Sequence, residues 1–188
     1  NGGINAIWST GNGTVTISNN TIGGTLANSI YANAGSTATT SANTAGISNA
    51  GTPTSLTISG NTISNITSAA ASATINGIST SGGTTVNISA NTVNALSGSG
   101  SGSGGNSPIL NGISVSGGTT VNVFKNKIYN LKESGNISTA NGAVNGILIS
   151  GGTNISTYNN LIGDLKATAA SLTDAIRGIS STSTTVSS

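Results

Sequence analysis

A sequence block recurs along this chain of 188 residues, and its recurrence constrains the fold more than any other feature. The block that begins at Asn111 reads NGISVSGGTTVNVFKNKIYNL, and the one that begins at Asn76 reads NGISTSGGTTVNISANTVNAL. A third, beginning at Asn145, reads NGILISGGTNISTYNNLIGDL. A repeat of this length is one small structural unit that buries its apolar face by stacking on its neighbours, so it indicates a solenoid.

Apolar and polar residues alternate within each block, which is the period of a β-strand with one buried face. In the Asn111 block, for example, Val121 and Val123 flank Asn122. Three such stretches fit into each block, so we predict three short strands per coil. The apolar residue that opens the third stretch recurs in five blocks, at Ile22, Ile63, Val93, Ile128 and Ile162.

Glycine and asparagine mark the corners between these strands. A turn with positive φ favours glycine between the first and second strands, and the glycine pairs there are Gly82-Gly83, Gly117-Gly118 and Gly151-Gly152. One asparagine per block separates the second and third strands, at Asn20, Asn61, Asn91, Asn126 and Asn160. We expect each asparagine to adopt the left-handed conformation of the corner and to pass amide hydrogen bonds from coil to coil as a ladder.

The spacing of the corner asparagines is uneven, at 41, 30, 35 and 34 residues, and loops after the third strand absorb the difference. We place these loops at 27–45, 67–76, 97–111, 132–145 and 166–177. The Gly/Ser run from Ser97 looks like a flexible linker, but the repeat resumes in phase at Gly112. Residues 1–188 are therefore predicted to be one β-solenoid domain or a segment of a longer solenoid.

Disorder and other all-β folds are the structural alternatives. Hydrophobic residues make up 34% and charged residues only 4% of the chain, whereas disordered chains combine low hydrophobicity with high net charge. Short strands bounded by Gly and Asn also fit a left-handed solenoid or an antiparallel sandwich. The likeness between blocks disfavours the sandwich, because equivalent residues that look alike stack in register about 4.8 Å apart in a solenoid.

The pattern Gly-Ile-x-Val-x-Gly-Gly, followed by Val-x-Val-x-x-Asn-x-Ile, resembles the right-handed parallel β-helix repeat of the pectate-lyase-like superfamily. The version it resembles is that of large secreted bacterial surface proteins and adhesins. The resemblance spans nearly the whole chain and implies an all-β, right-handed parallel β-helix (β-solenoid) of about five and a half three-strand coils. It says little about function, because the same scaffold carries lyases, hydrolases, adhesins and inert stalks.

The chain offers few residues for catalysis or metal binding. Its three acids, Glu133, Asp164 and Asp174, occupy different phases of the repeat, and we place Glu133 and Asp174 in loops. Asp164 falls in the column of Asn65 and Asn130 and is expected to replace an amide there. Polysaccharide lyases and glycosidases need converging carboxylates or a cation site, and zinc or Ser-His chemistry needs the Cys and His that this chain lacks. We therefore expect no enzyme, no cofactor and no metal.

Aromatic and basic side chains are few and fall on outward phases. Phe124 and Tyr158 share one column, Lys132 and Lys166 share another, and Trp8 stands where other blocks have serine. They are candidate surface contacts, the rings for a sugar or a neighbouring molecule and the lysines for an anionic surface polysaccharide. The plainer interpretation is a cross-strand pair that stabilises the sheet and lysines that keep a strand face solvated. The net charge of +2 does not predict nucleic-acid binding.

The two ends of a solenoid expose unpaired backbone groups and a slice of core. The last block stops near Val186, before its Asn-x-Ile element, and the first begins at Asn1 without Met or a signal-like segment. We expect a mature or excised piece whose ends contact a second copy head to tail, or the adjacent coils of a longer parent chain. The candidate contact residues are Asn1, Gly2, Gly3, Ile4, Ile179 and Val186.

The leading functional hypothesis is a non-catalytic, secreted cell-surface protein: a fibre, stalk or adhesin shaft extended by stacking of coils. No apolar run is long enough to predict a membrane span. An ice- or carbohydrate-binding surface is the first alternative, since Thr14 and Thr16 make a Thr-x-Thr step on an almost uncharged surface, although the other blocks do not repeat it faithfully. A polysaccharide lyase or hydrolase is the second alternative, and it rests on the resemblance alone.

Overall fold

The computed structural model describes residues 3–32, 43–70, 73–100, 109–138 and 142–183, and within these ranges all regular structure is β. The strands are β1 (Asn5–Ser9), β2 (Thr14–Ser18), β3 (Thr21–Ile22), β4 (Ile30–Ala32), β5 (Thr44–Asn49), β6 (Ser55–Ser59), β7 (Thr62–Ser68), β8 (Thr74–Thr80), β9 (Thr85–Ser89), β10 (Thr92–Gly98), β11 (Ile109–Val115), β12 (Thr120–Phe124), β13 (Lys127–Glu133), β14 (Val144–Ile149), β15 (Asn154–Tyr158), β16 (Leu161–Ala167) and β17 (Ile176–Ser181).

All pairs of these strands are parallel, and they form three sheets that run along one axis. The first sheet has the order β1-β5-β8-β11-β14-β17, the second β2-β6-β9-β12-β15, and the third β3-β7-β10-β13-β16, with β4 also paired to β7. Successive strands belong to successive sheets, so three strands make one coil. Coil 1 is β1–β4, coil 2 is β5–β7, coil 3 is β8–β10, coil 4 is β11–β13 and coil 5 is β14–β16.

This arrangement confirms the predicted all-β parallel solenoid, with a slightly lower number of coils. The described residues complete five coils, and the sixth contributes β17 alone. The second strand predicted for the last block, around Val186, lies outside the described residues, as do Asn1 and Gly2.

Isoleucine, leucine and valine line the interior in columns along the axis. In the first sheet Ile47, Ile78, Ile113 and Ile147 pair with one another in register, and each is fully buried. Neighbouring strands lie about 4.8 Å apart, so each side chain packs on its equivalent in the coil before and after. Burial of one such side chain contributes roughly 1.5–3 kcal/mol. The columns of like side chains therefore hold the coils together.

A glycine precedes this isoleucine from the second coil onward, because the backbones approach too closely for a Cβ atom. A Cβ on Gly77 would lie 2.6 Å from the Gly112 carbonyl oxygen and 2.3 Å from a methyl carbon of Val93. On Gly46 and Gly146 a Cβ would likewise lie 2.8 Å and 2.5 Å from the carbonyl oxygen of the next coil's glycine. The glycine of the Gly-Ile pair is thus required by packing.

The two kinds of corner differ in how they turn the chain. At the glycine corners the second glycine of each pair has the predicted positive φ: 157° at Gly83, 142° at Gly118 and 142° at Gly152. At the asparagine corners the left-handed residue is the one before the predicted asparagine, namely Asn19, Gly60, Ala90, Lys125 and Asn159. The left-handed conformation predicted for the corner asparagines themselves is wrong. The preceding residue makes the turn, and this leaves the asparagine side chain free to point along the axis.

A second left-handed position lies inside the third strand of coils 2 to 5. It is occupied by Asn65, Ala95, Asn130 and Asp164, with φ of 55°, 53°, 56° and 50°. Such a residue kinks every copy of the strand at the same place without changing the one-to-one register, and it shifts the inward-facing phase by one residue. Ile63 and Ile66, three residues apart, therefore both face the core. Asp164 shares this column with Asn65 and Asn130, as the sequence indicates.

The loops are shorter than predicted, because the third strands continue past their last large apolar residue. These strands end at Ser68, Gly98, Glu133 and Ala167, which lie on the inward phase after the left-handed residue. None of the four has an apolar side chain large enough to indicate burial in the sequence. Each of these strands thus enters its predicted loop, 67–76, 97–111, 132–145 or 166–177, and the next strand, β8, β11, β14 or β17, begins before that loop's predicted end. β4 lies within the predicted loop 27–45.

The left-handed column allows a test by substitution at Ala95. A left-handed alanine costs roughly 1–2 kcal/mol, whereas asparagine tolerates this region through local hydrogen bonds. Ala95→Asn should therefore raise the free energy of unfolding in urea by about 1 kcal/mol. Ser97→Asn, two residues further along β10 and outside the left-handed column, is the matched control. Equal stabilisation by both variants would contradict the conformational explanation.

Candidate functional site

The most continuous polar structure in the protein is a ladder of asparagine side chains at the corner between the second and third sheets. Asn61 Nδ2 donates to Asn91 Oδ1 at 2.9 Å, and Asn91 Nδ2 donates to Asn126 Oδ1 at 3.0 Å. The backbone N–H groups of Asn61 and Asn91 donate to the same oxygens at 3.0 Å. Asn20 and Asn160 extend the ladder at its two ends, with amide contacts of 2.9 Å and 3.0 Å. One ladder thus runs through all five coils.

Each inner ladder amide also binds the backbone of the coil before it. Asn91 Nδ2 donates to the carbonyl oxygen of Ile58 at 2.9 Å, and Asn126 Nδ2 donates to that of Ile88 at 2.9 Å. Asn61, Asn91 and Asn126 are each 1% exposed, and an unpaired buried polar group would cost about 1–3 kcal/mol. The ladder amides spend their hydrogen bonds on one another and on the backbone, which leaves them little capacity to bind a ligand, so the role of the ladder is structural.

Two further asparagine columns form ladders that the sequence reasoning missed. Asn145 Nδ2 donates to Asn111 Oδ1 at 2.9 Å, and Asn111 Nδ2 donates to Asn76 Oδ1 at 2.9 Å. Asn122 Nδ2 donates to Asn87 Oδ1 at 2.9 Å. The signal for the first of them is the asparagine before Gly-Ile in three blocks. In both columns the donor belongs to the later coil, whereas in the corner ladder it belongs to the earlier coil.

The column of Asn76, Asn111 and Asn145 ends beside an arginine. Asn145 Oδ1 is buried and has no hydrogen-bond partner among the described residues, and β17 places Arg177 in register with Asn145. Arg177 Nε donates to Asp174 Oδ2 at 2.8 Å, and Arg177 Nη1 donates to Ser180 Oγ at 3.4 Å. The hydrogen bond from Arg177 lowers the pKa of the Asp174 carboxyl. Asp174 is therefore an ion-pair partner in the loop before β17.

The aromatic candidates do not form a continuous platform in the described residues. Phe124 and Tyr158 stack on the outer face of the second sheet, with ring centroids 5.1 Å apart and 5° between the planes. The residue in register with Phe124 in the coil before it is Ser89. Trp8 is 65% exposed and pairs with Ser48 in the first sheet. The stacked pair and Trp8 thus lie on different sheets.

The two candidate lysines lie in register on the outer face of the third sheet. Lys166 Nζ is 2.6 Å from Asp164 Oδ1, so its charge is balanced locally. Lys132 borders a groove of about 270 Å³ that also contacts Asn65, Thr67 and Ser97. The groove therefore combines amide and hydroxyl groups with one ammonium group.

Glu133 is the largest departure from the predicted surface chemistry. Its predicted loop position is wrong: it is the last residue of β13 and is fully buried. Burial raises the pKa of its carboxyl to about 7, although hydrogen bonds from the N–H groups of Gly135 and Ser134 oppose the rise. In the described residues no hydrogen bond or ion pair joins Glu133 to Asp164 or Asp174. The structure does not bring the three acids together.

The predicted end-contact residues that the structure describes lie at opposite ends of the stack. Gly3 packs against the backbone of Asn43, and the Ile4 carbonyl oxygen accepts a hydrogen bond from the Ala45 N–H at 2.7 Å. Ile179 lies in β17 and is 52% exposed. Gly3 and Ile4 are therefore already in contact with coil 2, whereas the Ile179 side chain is exposed at the other end.

Comparison with known proteins gives no relative for this chain: no family model, no curated protein and no solved structure matches it. Among the described residues, no helix is long and apolar enough to cross a membrane. Over the same ranges, no three or more His, Cys, Asp or Glu side chains are grouped so that they could hold a metal ion. The functional interpretation therefore depends on the geometry of the chain itself.

The corner ladder can be tested at Asn91. Asn91→Ala removes the acceptor of the Asn61 amide and backbone N–H and the donor to the Ile58 carbonyl oxygen. At about 1–3 kcal/mol for each unpaired buried group, the free energy of unfolding should fall by about 3 kcal/mol or more. The half-buried Asn94 in β10 provides the control Asn94→Ala, measured by the same urea titration. A loss at Asn91 no larger than that at Asn94 would count against a stabilising ladder.

Proposed function

We propose that this chain is a non-catalytic structural β-solenoid of a secreted bacterial surface protein, which forms or extends a fibre, stalk or adhesin shaft by stacking coil on coil. The resemblance of its repeat to the pectate-lyase-like β-helix repeat of such surface proteins supports the assignment. The observation that carries it is the position of the exposed apolar side chains.

Every large apolar side chain that is exposed in the described residues belongs to the first coil or to the last two. These side chains are Trp8, Leu26, Tyr31, Tyr158, Leu161, Ile176 and Ile179. Ile179 is about half exposed although Ile147, its partner in register, is fully buried. Exposed apolar surface marks contact with another molecule or segment. Ile176 and Ile179 lie where a further coil would stack, because their partners in register, Val144 and Ile147, are fully buried. Trp8 and Tyr158 instead face outward from their sheets.

The two ends are also complementary in hydrogen bonding. Within the described ranges, Asn20 Oδ1 receives no donor from an earlier coil, and the Asn160 N–H has no later asparagine to which it can donate. One end of the corner ladder thus offers an acceptor and the other end offers donors. The edge strands of the three sheets also present unpaired backbone groups. Head-to-tail contact of this kind does not close on itself and produces a filament.

The surroundings of the acids support a non-catalytic role. Asp164 is paired with Lys166, Asp174 is paired with Arg177, and Glu133 is in the core. Hydrolysis of a glycosidic bond uses two carboxyl groups that face one substrate from opposite sides. The three acids of this chain instead serve separate local contacts.

Gly178 provides a direct test of coil stacking. A Cβ on Gly146, in register one coil earlier, would lie 2.5 Å from the Gly178 carbonyl oxygen, whereas a Cβ on Gly178 meets no atom of the described residues within 4 Å. Gly178→Val should therefore leave the fold intact and block the approach of a further coil. Gly163→Val is the matched control, because a Cβ there also meets no described atom within 4 Å. Gly163 is in register with the outward-facing Tyr129 one coil earlier, so a side chain at this position should not obstruct stacking.

Light scattering across a concentration series and electron microscopy provide the measurements. We expect the wild type and Gly163→Val to associate into filaments, and Gly178→Val to stay monomeric with an unchanged circular dichroism spectrum. A wild-type protein that remains monomeric at millimolar concentration would contradict stacking of copies. So would a Gly178→Val variant that associates as the wild type does.

Carbohydrate binding is a second candidate function, favoured by the groove on the third sheet. Asn28, Asn65, Thr67 and Asn130 line this groove with amide and hydroxyl groups, and Lys132 adds a positive charge. Groups of this kind hydrogen-bond sugar hydroxyls and carboxylates. The fitting ligand is a linear acidic polysaccharide.

Lys132→Gln should weaken binding of such a polymer about tenfold, since a hydrogen bond to a charged group is worth about 1.5–3 kcal/mol. Isothermal titration calorimetry with a polyuronate would measure the change. Lys127→Gln, which removes a lysine that lies over the Tyr129 ring and outside the groove, is the control. Equal losses in the two variants, or no binding by the wild type, would argue against the groove as a binding site.

A further inference from the structure

A carboxylic acid occupies a core column that otherwise holds small uncharged residues. Glu133 is in register with Gly98 of coil 3 and Ala167 of coil 5, and Gly98 is in register with Ser68 of coil 2. Glu133 is fully buried in this column, two residues after the core residue Leu131. The position is therefore an interior one in every coil, and only coil 4 places an ionisable group there.

The carboxyl group fits because Gly98 has no side chain. A Cβ on Gly98 would lie 1.8 Å from Glu133 Oε2 and 2.9 Å from a methyl carbon of Leu110. Glu133 Oε1 accepts a hydrogen bond from the Gly135 N–H at 2.6 Å. Glu133 Oε2 is buried and has no hydrogen-bond partner within the described ranges. Half of the carboxyl is thus bonded to the segment that follows β13, and the other half occupies the space that Gly98 leaves free.

No charged group on the surrounding strands faces this carboxyl to balance a negative charge. Strands β10, β11 and β14 contain no ionisable residue. The charged groups on the other neighbouring elements are the exposed Lys127 and Lys132 on β13, the half-exposed Asp164–Lys166 pair on β16, and the Asp174–Arg177 pair at β17. The protonated form is therefore favoured, and burial raises the pKa of Glu133 to about 7.

The segment 134–138, which the carboxyl holds, closes the side of coil 4. The Ser134 N–H and Oγ both donate to the Gly98 carbonyl oxygen, at 2.9 Å and 3.0 Å. Ile137 is 1% exposed, and its carbonyl oxygen accepts from the Ser171 N–H at 3.0 Å. The hydrogen bond from Gly135 to Glu133 lies between these two attachments. A change in the carboxyl group is thus transmitted directly to the backbone of this segment.

We propose that Glu133 is a pH-sensitive latch: the segment 134–138 stays closed over the core of coil 4 while the buried carboxyl is protonated. Ionisation loosens the segment, because a charge buried without a balancing cation is stabilised by opening to water, and this outweighs the stronger hydrogen bond from Gly135 to the ionised oxygen. The sign follows from the pKa of Glu133, which is about 7 in the folded protein and 4.5 as its ordinary value. The closed form binds the proton more tightly than the open form. Its added stability is complete below pH 4.5 and is lost as the pH rises to about 7.

Hydrogen exchange of single amides tests the latch. After correction for the intrinsic exchange rate, protection of the Ser134 and Gly135 amides, which are both hydrogen-bonded in the closed segment, should fall about tenfold per pH unit between pH 5 and 7 and then level off. Glu133→Gln, which keeps the shape and removes the titration, should abolish this dependence. Asp164→Asn, at an exposed acid, should retain it.

A readout on the wild type guards against failure of the variant to fold. The chemical shift of the Glu133 side-chain carboxyl carbon should titrate near pH 7, and the loss of protection should follow the same curve. A titration near pH 4.5 would overturn the proposal. So would a loss of protection that persists in Glu133→Gln, or one that is equally large in the core strands β8 and β11.

Discussion

Parallel backbone hydrogen bonds hold successive coils of this protein in register about 4.8 Å apart. Each inner coil therefore packs between two coils of similar sequence and the same backbone path. A side chain fits an inner position when it packs on its own kind. Isoleucine on isoleucine fills the core, asparagine on asparagine shares amide hydrogen bonds, and glycine on glycine lets two backbones touch. Like charges stacked at this distance would repel one another, and the charged fraction is only 4%. Where Lys132 and Lys166 do stack, Asp164 pairs with Lys166 and offsets the repulsion. The composition is thus a consequence of the register.

Repetition makes much of this fold predictable from the sequence. The strands, their order around the coil and the members of the corner ladder follow from laying one block beside the next. Positions where one coil departs from its neighbours are harder to predict. Glu133 is the main example, because its buried place depends on the space left by Gly98 in the preceding coil. An isolated acid after the last apolar residue of a strand looks like a surface residue until that neighbour is known.

Left-handed backbone positions are the other part that local patterns do not locate. Ala90, Ala95 and Lys125 are poor choices for this region, yet each adopts it. They do so because the same position in other coils holds Gly60 or Asn65, and the register carries one backbone path through the whole stack. Tertiary stacking here overrides local preference. The ladder asparagine keeps a negative φ because the residue before it adopts the left-handed conformation that the corner requires.

The opposite directions of the asparagine ladders affect how long such a stack can become. Aligned amides add up as peptide dipoles do along an α-helix, and they leave opposite partial charges at the two ends. In the corner ladder the donors belong to the earlier coil, and in the column of Asn76, Asn111 and Asn145 they belong to the later one. In coils 3 to 5, where both ladders are present, the two axial fields oppose each other, so each of these coils adds little potential along the axis. A stack built from coils of this kind can therefore lengthen without a matching growth of the side-chain dipole along its axis.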